Sequence, residues 1–150
     1  MREDGMANES IFQIIDNQAD NFKRLRNEHA REVTEDYVEM IANLIDQDGE
    51  ARAVALAERF GVSPATVNNT LKRLERDGYV TSKPYRAIFL TDNGRILAKT
   101  CKERHQMVCD FLIAIGVDRN IAEADAEGIE HHVSEATISF FRDFLDKKIG

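Results

Sequence analysis

The chain has 150 residues, enough for one good core or two small linked units. Its composition is that of an ordinary soluble globular protein, and no apolar run approaches the roughly 18–20 residues that cross a bilayer, which argues against a membrane partner. The net charge of −7 speaks against nucleic acid only as an average: residues 51–104 hold eleven Lys or Arg against five Asp or Glu, between flanks holding five against thirteen and four against nine.

The N-terminus (Met1, Arg2, Glu3, Asp4) lacks the apolar centre of a signal peptide, which places the protein in the cytoplasm. Ile11, Ile14, Ile15, Phe22 and Leu25 predict a helix or partly ordered arm over residues 10–26, with Ser10 as its cap. A second helix, Arg31 to Asp48, carries Val33, Tyr37, Met40, Ile41, Leu44 and Ile45 and stops at Gly49. A short helix through Val54, Leu56, Ala57 and Phe60 ends at Gly61. Ser63-Pro64 then reads as N-cap and first position of a helix through Val67, Leu71 and Leu74. Tyr79–Thr81 and Ala87–Leu90 read as strands around a tip at Lys83-Pro84-Tyr85-Arg86. Thr91 caps a long helix that Gly116 closes, and two more helices follow at 118–132 and 134–148, the last capped by Ser134. Cys101 and Cys109, about 12 Å apart along the long helix, read as two reduced thiols.

Short helix, Gly-containing turn, capped helix and basic-tipped hairpin make a winged helix-turn-helix. The fold class expected is mainly α: a winged helix-turn-helix DNA-binding domain at 29–96, then an all-α dimerisation and metal-binding domain at 97–150, with residues 1–28 as an extension. The second helix of the motif enters the major groove of double-stranded DNA with its N-terminal residues towards base edges. Ser63, Ala65, Thr66, Asn68 and Asn69 lie on that face; Asn pairs with adenine and the Thr methyl touches thymine. Lys72, Arg73, Lys83, Arg86 and Arg52 are candidates for phosphate contacts, which orient without specifying sequence.

Glu127, Glu130 and His131 sit at i, i+3 and i+4, on one face of the expected helix. Asp36 and Glu39, spaced i, i+3, and His105 on the long helix are plausible companions. Four carboxylates gathered without a cation would repel one another, and two divalent cations would cancel them. Carboxylate with imidazole suits Mn, Fe or Zn. His132, about 100° round the helix from His131, is left out, and a thiolate from Cys101 or Cys109 is disfavoured.

At this point the chain resembles the manganese transport regulators of the diphtheria-toxin-repressor family. The resemblance lies in Glu35-Asp36-Tyr37-Val38-Glu39, Arg104-His105, the Asp125–Ser134 run and the winged unit closed by Glu75-Arg76-Asp77-Gly78, and it covers about residues 30–145. It implies metal ligation by Asp36, Glu39, His105, Glu127, Glu130 and His131. Iron-responsive relatives carry a methionine near the Asp36 position and a cysteine near Glu127; carboxylates at both lean this chain towards Mn²⁺. The extra SH3-like domain of the iron-responsive branch has no room before Gly150, and the acidic extension 1–28 departs from the family pattern.

The ligands precede and follow the winged unit, so a metal bound by all of them ties one domain to the other. The expected function is a metal-responsive transcriptional regulator, not an enzyme. Mn²⁺, one or two ions per subunit, favours a homodimer that binds a palindromic operator, and repression of manganese uptake genes is what the resemblance implies. The long helix with Phe140, Phe141, Phe144 and Leu145 supplies a dimer interface; an intramolecular core is the alternative use of those aromatics, and the two are compatible. No small organic substrate is expected. The same residues also fit a regulator sensing Fe²⁺ or Zn²⁺, a carboxylate-bridged metalloenzyme, or a metal-independent regulator with a structural acidic patch.

Overall fold

The computed structural model describes residues 3–83 and 85–149, with side chains described from 11 to 83 and from 85 to 148. The elements in chain order are α1 (Glu3–Asp48), α2 (Ala53–Phe60), α3 (Pro64–Arg76), β1 (Val80–Thr81), β2 (Phe89–Leu90), α4 (Asp92–Ala114), α5 (Arg119–Ile129) and α6 (Glu135–Ile149).

The two helices expected before residue 49 are one. α1 runs unbroken for 46 residues, so Ser10 lies inside it and is not its cap. The polar stretch Asn27-Glu28-His29-Ala30 interrupts the apolar pattern without interrupting the helix, because none of these residues strains an α conformation as Gly or Pro would. The expected boundaries at 28/29 and 96/97 both fall within helices, α1 and α4.

The first core gathers Val38, Ile41 and Leu44 of α1, Leu56 of α2, and Val67, Leu71 and Leu74 of α3, with Val80, Ile88 and Leu90 from the hairpin. Tyr37 stacks on Phe60 with ring centroids 4.6 Å apart. Each fully buried Leu or Val contributes about 1.5–3 kcal/mol relative to exposure. Gly61 adopts φ 65°, a left-handed conformation that ends α2 and turns the chain towards α3. Ser63 caps α3 by accepting from the Thr66 backbone N–H at 3.1 Å, with Pro64 in the first turn.

The strands are shorter than expected. They pair antiparallel, Val80 with Leu90 and Thr81 with Phe89, and Ile88 adds a bridge to Ala51 before α2. Pro84, part of the expected tip, lies outside the described residues. Thr91 caps α4, accepting from Gly94 N–H at 3.1 Å, while its own hydroxyl donates to the Gly78 carbonyl at 2.6 Å. A second core joins Val108 and Cys109 of α4 to Ala122 and Ala126 of α5 and Ile138 of α6. Ser134 caps α6 through the Thr137 N–H at 3.2 Å. α4 therefore belongs to both cores, with Ala98 in the first and Val108 in the second.

Candidate metal centre and nucleic-acid face

Asp36 and Glu39 lie one turn apart on α1, and His105 lies midway along α4. α5 ends at Ile129, earlier than the expected 132. Glu130 occupies its C-cap and His131 and His132 sit in a turn, with Glu130 N–H on the Ala126 carbonyl at 3.0 Å and His132 N–H on the Ile129 carbonyl at 3.0 Å. The expected single helical face is therefore corrected. Glu127 leaves the last turn of α5 towards His105, whereas the turn carries His131 towards α1.

All six residues converge. Among the described residues, Glu39, Glu130 and His131 bring one potential ligand atom each within 4.8 Å of one another, and so do His105, Glu127 and Glu130. Asp36 joins the first group, with Oδ1 2.9 Å from His131 Nε2. Glu130 belongs to both, with Oε1 3.2 Å from His131 Nε2 and Oε2 3.2 Å from His105 Nδ1. Glu127 Oε1 lies 3.5 Å from His105 Nδ1.

Glu130 and His131 are both 0 % exposed, yet both Glu130 carboxylate oxygens, His131 Nε2, His105 Nδ1 and Glu39 Oε1 are buried without a hydrogen-bond partner among the described residues. Their short contacts are off the line of a good hydrogen bond. Buried polar atoms left so are costly, and five of them aimed at one space fit a group that accepts lone pairs. The residues present fit divalent cations.

The titration of these groups reflects the crowding. Burial first, then the Glu127 and Asp36 charges, push Glu39 up to about 7. Burial and the charges of Glu39, Glu127 and Asp36 push Glu130 up to about 9. Burial opposes a charge on His131, but the contacts with Asp36 and Glu35 outweigh it and raise the imidazole to about 10. With no cation present, protons hold the cluster together.

Glu35 is the residue that sequence reasoning missed. It is 3 % exposed and its Oε2 accepts from His131 Nδ1 at 2.6 Å. Arg31 and Arg104 flank its other oxygen at 3.5 and 3.7 Å, and Arg104 reaches on to Glu135 at 2.6 Å. A signal existed: Glu35 stands three and six residues before Val38 and Ile41, an acid on the apolar face of α1. Arg31 also donates to the His131 carbonyl, fixing the turn. Cys101 and Cys109 are buried free thiols. Burial and then Glu35, Glu39 and Glu130 push Cys101 well above the usual thiol range, so it stays protonated.

On the winged unit, Ser63, Ala65, Thr66, Asn68, Asn69 and Lys72 are exposed along α3, and Lys83 and Arg86 are exposed near the wing tip. Two expected phosphate contacts are engaged elsewhere. Arg52 binds Glu50 at 2.9 Å and the Tyr85 carbonyl at 3.3 Å, and Arg73 is half-buried, donating to Thr34 of α1 at 3.4 Å.

Residues 29–88 match the N-terminal DNA binding domain of the iron dependent repressors, and residues 91–148 match their metal binding and dimerisation domain. The chain belongs to the iron dependent repressor family. Among relatives, it is 47 % identical over 133 residues to a transcriptional regulator MntR of Escherichia coli O6:H1, covering 89 % of this chain and 86 % of that one. It is 38 % identical over 111 residues to the HTH-type transcriptional regulator MntR of Bacillus subtilis, covering 74 % and 78 %. A solved manganese-dependent transcriptional repressor in complex with manganese superposes with a TM-score of 0.66 at 30 % identity, covering 75 % of this chain; the chain spans about half of that structure, 52 %.

Like its family, the chain is a metal-dependent transcriptional regulator with a DNA-binding and a dimerisation domain. In this family member Asp36 and Glu39 come from the first matched segment and His105, Glu127, Glu130 and His131 from the second, so the candidate centre straddles the two. In the dimerisation domain Phe141 stacks on Phe111 at 4.0 Å and Phe144 meets the same ring edge-on at 5.4 Å. Leu145 is half-buried, and Phe140 turns outward, 74 % exposed. The C-terminal aromatics thus divide between the chain's own core and its free surface.

Proposed function

We propose that the chain is a manganese-responsive repressor of manganese uptake genes, in which a cluster of two divalent cations per subunit joins α1 to the dimerisation domain. The observation that carries this reading is Glu130, a fully buried carboxylate shared by two groups of ligand atoms with neither oxygen hydrogen-bonded. One cation would be held by Asp36, Glu39, Glu130 and His131, the other by His105, Glu127 and Glu130. When bound, the cations supply the positive charge that four carboxylates lack. The donors are carboxylate oxygens and imidazoles with no thiolate, a set that suits Mn²⁺.

The chain's residues do the rest. Glu39 and Glu130 release their protons and His131 its Nε2 proton, the ring keeping the Nδ1–H that donates to Glu35. Asp36 and Glu39 then pin α1 against α4 and the turn after α5. α1 passes that constraint to α3 through the first core and the Thr34–Arg73 bond. Ser63, Ala65, Thr66, Asn68 and Asn69 face base edges and Lys72, Lys83 and Arg86 face phosphates. Arg52 and Arg73 act as braces that reach phosphate only by leaving their present partners.

A two-fold dimer reads a palindromic operator with half-sites about one helical turn, or a multiple, apart. Its place is the cytoplasm, where operator DNA lies, with neither a membrane nor a small organic substrate as partner. A coupling of about 1–3 kcal/mol between cation and DNA corresponds to roughly 5–150-fold in operator affinity. The test is binding to a promoter fragment without metal and with Mn²⁺, Fe²⁺ or Zn²⁺ at matched free concentrations. Equal affinity with and without metal rejects the reading, and stronger activation by Fe²⁺ or Zn²⁺ reassigns the metal.

A further inference from the structure

Every side chain from Ile11 to Asn27 is exposed, so this stretch of α1 stands away from the rest of the chain. Ile11, Phe12, Ile14, Ile15, Phe22 and Leu25 are each between 52 % and 62 % exposed. A lone helix of such length is marginal in water and depends on packing of an apolar face. At 100° per residue Ile11, Ile14, Ile15, Phe22 and Leu25 fall within an arc of about 100°, a stripe about 21 Å long. Asp16 and Asp20 point from the opposite side.

We propose that this stripe packs antiparallel against the same stripe of the second copy within the dimer, across a two-fold axis at Gln18. A two-fold contact sets each patch against itself, so an antiparallel helix pair centred on residue 18 brings position 18−n against 18+n. Most of the stripe is self-complementary in that register: Ile11 meets Leu25, Ile14 meets Phe22 and Gln18 meets its copy, while Ile15 falls beside Asn21. A Gln amide both donates and accepts, so two of them bond to each other on the axis.

The arm is also continuous with the dimerisation domain. His132, in the turn after α5, contacts Glu28 at 3.5 Å and Glu32 at 2.9 Å, clamping the root of the arm. Asp36 follows Leu25 and Phe22 by 11 and 14 residues, close to three and four helical turns. The stripe therefore extends the face of α1 that looks on the dimerisation domain. Burying the stripe removes roughly 500 Å² per chain, near the lower bound for a specific interface, so the arms supplement the dimerisation domain instead of replacing it.

The test uses the full chain with Gln18→Cys, and Asp16→Cys as control; Cys101 and Cys109 are buried and do not compete. Under mild oxidation Gln18→Cys should cross-link to near completion, with a native mass of two chains, and Asp16→Cys at least ten-fold more slowly. Phe22→Glu with Leu25→Glu, at exposed positions that leave the fold intact, should raise the dimer dissociation constant at least ten-fold. Equal cross-linking of the two cysteine variants, a native mass above two chains, or an unchanged dissociation constant would overturn the proposal.

Discussion

Glu35 Oε2 accepts a 2.6 Å hydrogen bond from His131 Nδ1, where neither residue is more than 3 % exposed. The bond fixes the ring so that Nε2 faces Asp36 and Glu130, the arrangement in which a carboxylate orients an imidazole ligand from behind. Glu35→Ala should weaken Mn²⁺ binding about 10–100-fold in calorimetric titration. It should also destabilise the metal-free chain, because Arg31 and Arg104 each lose a buried carboxylate partner, keeping only the His131 carbonyl and the exposed Glu135. Glu35→Gln, whose amide oxygen still accepts from Nδ1, should keep most of the affinity. Equal losses in both variants would argue against the orienting role.

Glu130 and Glu127 should separate by stoichiometry. Glu127→Gln touches one ligand group and should leave one cation bound per subunit, while Glu130→Gln touches both and should abolish tight binding. Metal analysis after dialysis counts the ions. The metal-free Glu130→Gln chain should melt no lower than the parent, because it removes a carboxyl that burial already holds protonated to about pH 9.

The pH dependence should change sign with metal. Glu39, Glu130 and His131 have folded values of about 7, 9 and 10, each above the ordinary value. From about pH 4.5 upward the folded metal-free chain holds protons that the unfolded chain releases. The stability these groups contribute is thus present at the low end and lost as pH rises through 7 towards 10. The metal-free melting temperature should fall over that range. Mn²⁺ displaces the protons, so the rise in melting temperature that it produces should grow from pH 6 to pH 8. A Mn²⁺ effect independent of pH would contradict the proton inventory.

Asn69→Ala should relax preference at one base pair of the operator, whereas Lys72→Ala should weaken all sequences alike and reduce the salt slope by about one. Binding to a panel of single-base operator variants at two salt concentrations distinguishes them. Identical sequence profiles for Asn69→Ala and the parent would reject base reading by that residue.

Gly94 supports the junction between the wing and α4. A Cβ there would collide with the Tyr79 carbonyl oxygen and press on Leu90. Gly94→Ala should cost about 1–3 kcal/mol in urea unfolding, with Gly128→Ala, which meets nothing, as the unaffected control.

Local signals were legible where chemistry is local. Ser63-Pro64, Gly61, Thr91 and Ser134 announced the helix ends that they form. The continuity of α1 was not, because the polar run at 27–30 looks like a break until Glu28 is seen against His132, more than a hundred residues away. The six expected ligands meet, yet the turn that carries His131 follows from the early end of α5 and from Arg31, neither of which spacing reveals. Arg73 looked free because its partner, Thr34, is 39 positions distant, whereas Arg52 had a local partner in Glu50, two positions away, beside the distant Tyr85 carbonyl.

The unbroken course of α1 has a mechanical meaning. Asp36 lies 25 residues, about 37 Å, from Ile11 and about three turns from the C-terminal end of the helix, where Ile41 and Leu44 enter the core they share with α3. Held at Asp36 and Glu39, a rigid rod of this kind is a lever with its fulcrum at the metal cluster. A tilt of 5° there swings Ile11 by about 3 Å while moving the recognition helix by a fraction of that. Whatever fixes the long end would thereby fix the short one with a mechanical advantage, so groove spacing could be set from the far tip of the helix as well as from the metal.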